Sequence, residues 1–202
     1  MSMSNVVCRK LNLQDDLNIL TKIDLECVLH NDIDYMCSEV ISENSQRLTN
    51  KIKNNTTNVK QSNIKKLLDS VIVAEIKGKI VGYSITQTPD ESEKIVPNAD
   101  YELVRIAVLP EYQSQGVATA LWNAVMAEMK KQNKSVLQLA VDIQGPEDMN
   151  GIRGKGNTKA IKFYKGKGCI LLNSTSQYKS KTGIPQSKIC VQGWMIKDIN
   201  EK

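Results

Sequence analysis

Glu102 to Met129 reads ELVRIAVLPEYQSQGVATALWNAVMAEM, and the fold follows from this stretch. Leu103, Val104, Ile106, Ala107, Val108 and Leu109 make a mostly apolar run, interrupted only by the charge of Arg105 and ended by Pro110, which cannot continue a ladder of hydrogen bonds. That is the pattern of a buried central strand. Next comes Gln113-Ser114-Gln115-Gly116-Val117-Ala118, with glycine where backbone must approach something closely. Val117, Ala118, Leu121, Trp122, Val125, Met126 and Met129 then recur at helical spacing and predict a helix with one apolar face. The first amides of such a helix have no partner within it, and its dipole is positive at that end. The turn is therefore suited to an anion, above all a phosphate.

Strand, turn and helix succeed one another in many α/β proteins, and most such turns meet only solvent. Here the whole order, strand, Pro110-Glu111-Tyr112, Q-x-x-G-x-A from Gln113 to Ala118 and helix, resembles the acetyl-CoA signature of the GNAT N-acetyltransferase superfamily. The resemblance implies that Gln113, Ser114, Gln115, Gly116, Val117, Ala118 and Thr119 hold the pyrophosphate of coenzyme A. It implies an α/β (α+β) fold: a mixed, mostly antiparallel central sheet of about seven strands, splayed between strands four and five, with helices on both faces. The splay leaves Ile106, Ala107 and Val108 to pair with the pantetheine arm as another strand would.

Composition is consistent with one such domain over residues 1–202. The chain is 41% hydrophobic, enough for a sizeable core, and only 4% aromatic, so Ile, Val and Leu must fill it. A formal net charge of +5 with scattered lysines argues against a dedicated nucleic-acid partner and suits a polyanionic cofactor. Cys8, Cys27, Cys37, Cys169 and Cys190 are odd in number and lack C-x-x-C spacing. With no apolar signal segment at the N-terminus, the expectation is reduced thiols in a cytoplasmic protein. His30 is the single histidine, so neither a histidine metal cluster nor a Ser-His-Asp triad is expected, and no metal is called for. No run is long enough to span a bilayer.

Working outward, Asn5 to Leu11 alternates as a short strand, and two amphipathic helices are expected over 13–31 and 34–48. In GNAT proteins such a pair walls the acceptor cleft. Residues 49–62, TNKIKNNTTNVKQS, are polar and read as a loop or insertion, with a short helical continuation over 64–68. Ser70–Ile76 and Ile80–Thr86 are β-branched runs joined through Lys77-Gly78-Lys79, a hairpin with glycine available for positive φ. The polar stretch 88–100 then leads to the central strand.

Beyond the long helix, Ser135 to Val141 is a strand that ends at Asp142. The stretch 143–156 is glycine-rich and longer than the turn usual in the family, so an extended loop is expected. Within it Arg153 and Lys155 are flanked by glycines. They are candidates to close over an anionic group on the acceptor or over the cofactor's 3′-phosphate. Asn157 is the expected cap of a helix from Thr158 to Lys165, stopped by Gly166 and Gly168. N-x-x-A-I-x-F-Y-x-x-x-G is the second GNAT-like motif. It implies that Asn157 contacts the cofactor and that Tyr164 sits near its sulfur, as general acid or as positioning residue. Without the family, Tyr164 reads as a core aromatic. Cys169–Asn173 and Lys188–Ile196 are expected as the last strand pair, with a loop over 174–186.

The resemblance implies an enzyme that moves an acetyl group directly from acetyl-CoA to a primary amine. An alkyl ammonium needs a base to become a nucleophile. Glu102, which matches the catalytic glutamate of histone-type relatives, and Asp142, which matches an aspartate of aminosugar-phosphate acetylases, are both candidates. The leaving thiolate can take a proton from Tyr164. The expected acceptor is a small-molecule amine, with an amino-sugar phosphate such as glucosamine 6-phosphate as one specific form. Protein N-terminal or lysine acetylation, and a catalytically silent acyl-CoA-binding module, are the alternatives. Ribosomal N-terminal acetylases tend to carry glutamate where Ala140 stands here, which weakens that assignment. Dimers are common in the superfamily, so a homodimer is one assembly the resemblance allows, and no membrane partner is expected.

Overall fold

In a computed structural model of the chain the described residues are 5–12, 15, 19–20, 22–23, 26, 68–147, 150, 152–177 and 191–199. Of the first expected helix, positions 19, 20, 22, 23 and 26 are described and helical, with Leu20 and Ile23 fully buried. The second expected helix, the polar stretch 49–62, the continuation over 64–67 and His30 lie outside the described residues. Read through its ladders, the sheet has the strand order β1-β2-β3-β4-β5-β8-β7, with β6 paired to β5. The strands are β1 Val6–Lys10, β2 Val71–Ile76, β3 Lys79–Gln87, β4 Tyr101–Val108, β5 Val136–Glu147, β6 Arg153–Lys155, β7 Ile170–Gln177 and β8 Val191–Asp198. Two helices are described in full, α1 Val117–Lys131 and α2 Thr158–Gly166. The chain divides into two compact units, 1–87 with 104–132, and 88–103 with 133–202.

The first unit is built on the hairpin of β2 and β3, which pair antiparallel from Val71↔Ile85 to Ile76↔Lys79. A two-residue turn closes it, with Lys77 (φ 51°) and Gly78 (φ 76°) both left-handed, the backbone that suits the twist of hairpin strands. β1 adds antiparallel to β2. Helix α1 packs on β1, β2 and β3, and its buried residues Val117, Leu121, Trp122, Val125 and Met129 are those the helical spacing selects. Removing each of the larger ones from water contributes roughly 1.5–3 kcal/mol. At the rim, Arg9 ties β1 to β2 and to the turn that follows: its guanidinium donates to Asp15 at 2.7 and 2.8 Å and to Glu75 at 3.0 Å.

In the second unit β5 is central. It pairs antiparallel with β8 from Val136↔Asp198 to Gln144↔Val191, and β8 with β7. Its parallel ladder with β4 covers three pairs, Tyr101↔Leu137, Glu102↔Gln138 and Leu103↔Leu139. Asp100 fixes that register: its carboxylate accepts the amides of Ser135 and Val136, and its own amide donates to the Val136 carbonyl at 3.1 Å. The three ladder pairs take up the first three of the eight residues of β4.

Three sequence expectations need correction. The stretch 143–156 is not simply a loop, because β5 runs on to Glu147 and β6 returns along it, Gln144↔Lys155 and Glu147↔Arg153. Glycine makes the close approach feasible: a Cβ on Gly145 would stand 3.1 Å from the Lys155 carbonyl oxygen, and one on Gly156 only 2.3 Å from that of Asp142. Strand β7 reaches Gln177, into the stretch expected as a loop. And β4 is not buried on both faces along its length: Tyr101, Leu103, Ala107 and Val108 are buried, while Glu102, Arg105 and Ile106 are half-buried and Val104 is 47% exposed.

Candidate active site

The turn before α1 is held open by its own side chains. Gln113 donates its amide to the Pro110 carbonyl and its side-chain Nε2 to the Val108 carbonyl at 3.2 Å, and Gln115 donates Nε2 to the Glu111 carbonyl at 2.7 Å. Both glutamines therefore brace the turn, each giving one side-chain N–H to a backbone carbonyl. Ser114 (φ 59°) and Gly116 (φ 86°) are left-handed, with Gly116 as the N-cap of α1. A Cβ on Gly116 would meet nothing within 4 Å. Glycine is needed there for its backbone angle, not for want of room.

The consequence is a run of amides with no acceptor of the fold at hydrogen-bond geometry. The first intrahelical bond at this end is Ala120 N–H to the Gly116 carbonyl. Among the described residues, the amides of Ser114, Gln115, Gly116, Val117 and Ala118 donate to no other group of the chain. No side chain caps the helix and its first turn holds no acid. Fifteen residues of helix point their positive end here. Left-handed turns that gather successive N–H groups at a helix start form an anion-binding concavity, and a pyrophosphate fits this donor set in sign and in kind. Val117 and Ala118 open α1, Thr119 is exposed on its first turn, and Ile106, Ala107 and Val108 end β4.

The second unit carries the carboxylate candidates. Glu102 is half-buried and lies opposite Gln138 in the parallel ladder. Lateral partners in a sheet share a face, and residues four apart on a strand share it too, so Gln138 and Asp142 are on the face that bears Glu102. Gln138 is fully buried, and its Oε1 accepts the Ile95 amide at 3.0 Å, anchoring the 88–100 segment to the sheet. The reading of the sequence missed this glutamine, whose only signal was a polar residue inside an apolar strand. Asp142 is half-buried, and its carbonyl accepts the Asn157 amide at 2.7 Å.

Asn157 caps α2 as expected, its Oδ1 accepting the Ala160 amide at 3.0 Å. The cap uses the oxygen and leaves the side-chain NH₂ as the group Asn157 can offer a ligand. Tyr164 is buried, 6% exposed, and meets Phe163 edge-on with ring centroids 5.3 Å apart. Arg153 lies half-buried on β6, its Nη1 3.4 Å from the Gly145 carbonyl, and Lys155 is exposed beside it. Among the described residues, no group of three or more His, Cys, Asp or Glu side chains is gathered as a metal would require, and no helix is long and apolar enough to cross a membrane.

Residues 49–169, well over half of the chain, match the sequence profile of the Acetyltransferase (GNAT) family. Curated proteins give no match. Among solved structures, the chain resembles the PaiA N-acetyltransferase of Thermoplasma acidophilum in complex with coenzyme A, at 19% identity and a TM-score of 0.60 over 96% of this chain and 99% of that one. The ribosomal-protein-alanine N-acetyltransferase of Brucella melitensis gives 20% and 0.61, over 96% and 99% of the two chains. The ribosomal-protein-S18-alanine N-acetyltransferase of Escherichia coli gives 20% and 0.55, over 96% and 94%. Likeness at these identities is likeness of fold.

Proposed function

Because this chain belongs to the acetyltransferase (GNAT) family, we propose that it moves an acetyl group from acetyl-CoA directly to a primary amine, with the turn from Gln113 to Thr119 holding the cofactor's pyrophosphate. The observation that carries this reading is the set of amides from Ser114 to Ala118 that donate to nothing else among the described residues, at the positive end of α1. The family match runs unbroken through segments of both compact units, which supports treating 1–202 as one catalytic domain.

Acetyl-CoA, once bound, supplies an acyl carbon already activated as a thioester. The residues of the chain must take a proton from the acceptor ammonium, hold the reacting carbon near the amine, and protonate the departing sulfur. We assign the base to Glu102. It is half-buried and lies opposite the buried Gln138 in the parallel ladder. Asp142 is the second candidate, about 13 Å further along the sheet by strand rise. Tyr164 is assigned to the thiol side and Asn157, through its NH₂, to the cofactor. Ile106, Ala107 and Val108 are read as the pantetheine edge.

The acceptor is read at the level of a primary amine. No structural neighbour described above is a sugar acetylase, so the amino-sugar phosphate rests only on Asp142, Arg153 and Lys155. Two neighbours are named as ribosomal-protein-alanine N-acetyltransferases, which favours a protein amine as the second reading. Residues 153–167 hold six basic and no acidic side chains, and this density supports an anionic group nearby, on the acceptor or at the cofactor's 3′-phosphate. The test is thiol release from acetyl-CoA with a panel of small amines, amino-sugar phosphates and N-terminal peptides. Turnover with one class assigns the acceptor; coenzyme A binding with no turnover on any would favour the silent module instead.

A further inference from the structure

Among the described glycines of the first unit, only Gly82, in the middle of β3, has no room for a side chain. A Cβ built there would stand 2.8 Å from the Ala107 carbonyl oxygen, 3.2 Å from Val108 Cγ2 and 3.3 Å from Val117 Cγ1. Ala107 and Val108 end β4, and Val117 is the first residue of α1. These three are among the residues assigned to acetyl-CoA, and one missing side chain is what lets all of them close on β3. The neighbouring bond, Leu109 N–H to the Val81 carbonyl at 2.9 Å, locks the end of β4 to β3 at the same level.

We propose that Gly82 is a positioning residue for the cofactor: it sets how far the end of β4 and the first turn of α1 stand from β3, and so the spacing between the pantetheine edge and the pyrophosphate amides. The inference rests on the cofactor assignment above. The physical reason is the identity of the nearest atom. A flexible side chain could swing aside from a new methyl, but a backbone oxygen at 2.8 Å moves only with its strand. Coenzyme A would meet both the edge and the turn as one rigid spacing, so a shift of a few tenths of an ångström at Ala107 is read out as affinity.

The experiment measures coenzyme A dissociation constants by calorimetry, and KM for acetyl-CoA and kcat with a saturating amine, for Gly82→Ala. The control is Val73→Ala, a fully buried β2 position that lowers stability without touching the corner. The expected result is at least a tenfold weaker coenzyme A affinity and a matching rise in KM for Gly82→Ala, with kcat within about threefold of wild type, while Val73→Ala keeps wild-type affinity. Equal affinities for wild type and Gly82→Ala would overturn the proposal. If Gly82→Ala does not fold, the double variant Gly82→Ala with Val117→Ala carries the same test. It removes both γ-methyls of Val117 where a methyl is added, and it is expected to fold and still bind more weakly than Val117→Ala alone, because the Ala107 carbonyl must still shift. Equal affinity in that pair would also overturn it. Failure of the cofactor assignment itself looks different: the wild-type chain would then show no coenzyme A affinity that depends on Gly116.

Discussion

Glu102 lies directly opposite Gln138 in the parallel ladder between β4 and β5, and Asp142 follows Gln138 by four residues on the same face. Strand rise puts the backbone positions of the two carboxylates about 13 Å apart along the sheet, so one acceptor nitrogen is served by one of the two and not by both. We assign that step to Glu102. Glu102→Gln is expected to lower kcat/KM by roughly 10²–10⁴ and to remove the acidic limb of its pH profile, whereas Asp142→Asn should cost less than about tenfold and keep the limb. Reversal of the two profiles would move the base to Asp142.

The bidentate pair of Arg9 with Asp15, joined by Glu75, makes an acid-sensitive clasp. Hydrogen bonds from Arg9 hold the Asp15 carboxyl below the usual carboxylate range, against a smaller opposing effect of burial. A carboxyl whose folded pKa is depressed stabilises the fold fully above its unfolded pKa, about 4, and loses that contribution as pH falls through the lower folded value. Asp15→Asn should therefore cost about 1–2 kcal/mol at pH 7 and much less near pH 3. Urea melts of both proteins at the two pH values check this, and a gap that widened in acid would contradict it.

Ser84 is fully buried on β3, and its hydroxyl has no hydrogen-bond partner. An unsatisfied buried hydroxyl costs about 1–3 kcal/mol. Replacing it by alanine removes the polar atom and almost no volume, so Ser84→Ala is expected to raise the melting temperature by a few degrees. A fall in calorimetric Tm would show that the hydroxyl has a role in the fold.

Burial pushes the Cys169 thiol up to about 12, the opposing pull of Lys197 being weaker. At pH 8 the thiolate fraction is then about one in ten thousand, and the thiolate is the reacting form. Alkylation followed by peptide mapping should leave Cys169 unmodified in the native protein and label it after unfolding. Labelling at equal rates in both states would contradict its burial.

How far the sequence could be read depends on where each constraint lies. Gly116 was legible because a single residue's backbone angle, φ 86°, demands glycine within a recognisable motif. Asn157 and the buried face of α1 were legible for the same reason, since capping and helical period are local. Gly82 was not: its constraint is the Ala107 carbonyl, 25 positions further along the chain. β6 was hidden because Arg153-Gly154-Lys155 has no β-branched residue, and it pairs only because glycines on both strands let the backbones close. The exposure of Val104 was hidden because an apolar run reads alike whether one face or both are covered.

The central claim is that the amides at the start of α1 hold the cofactor's pyrophosphate, and Thr119→Glu tests it most directly. A carboxylate on this exposed first turn favours the helix through its dipole, so the fold should be as stable as wild type or slightly more so. The same charge would face the phosphates across a few ångströms, an interaction of about 1–4 kcal/mol. Calorimetric titration with acetyl-CoA is predicted to give affinity at least about tenfold weaker than wild type, at unchanged or higher Tm. Unchanged acetyl-CoA affinity in Thr119→Glu would contradict the account.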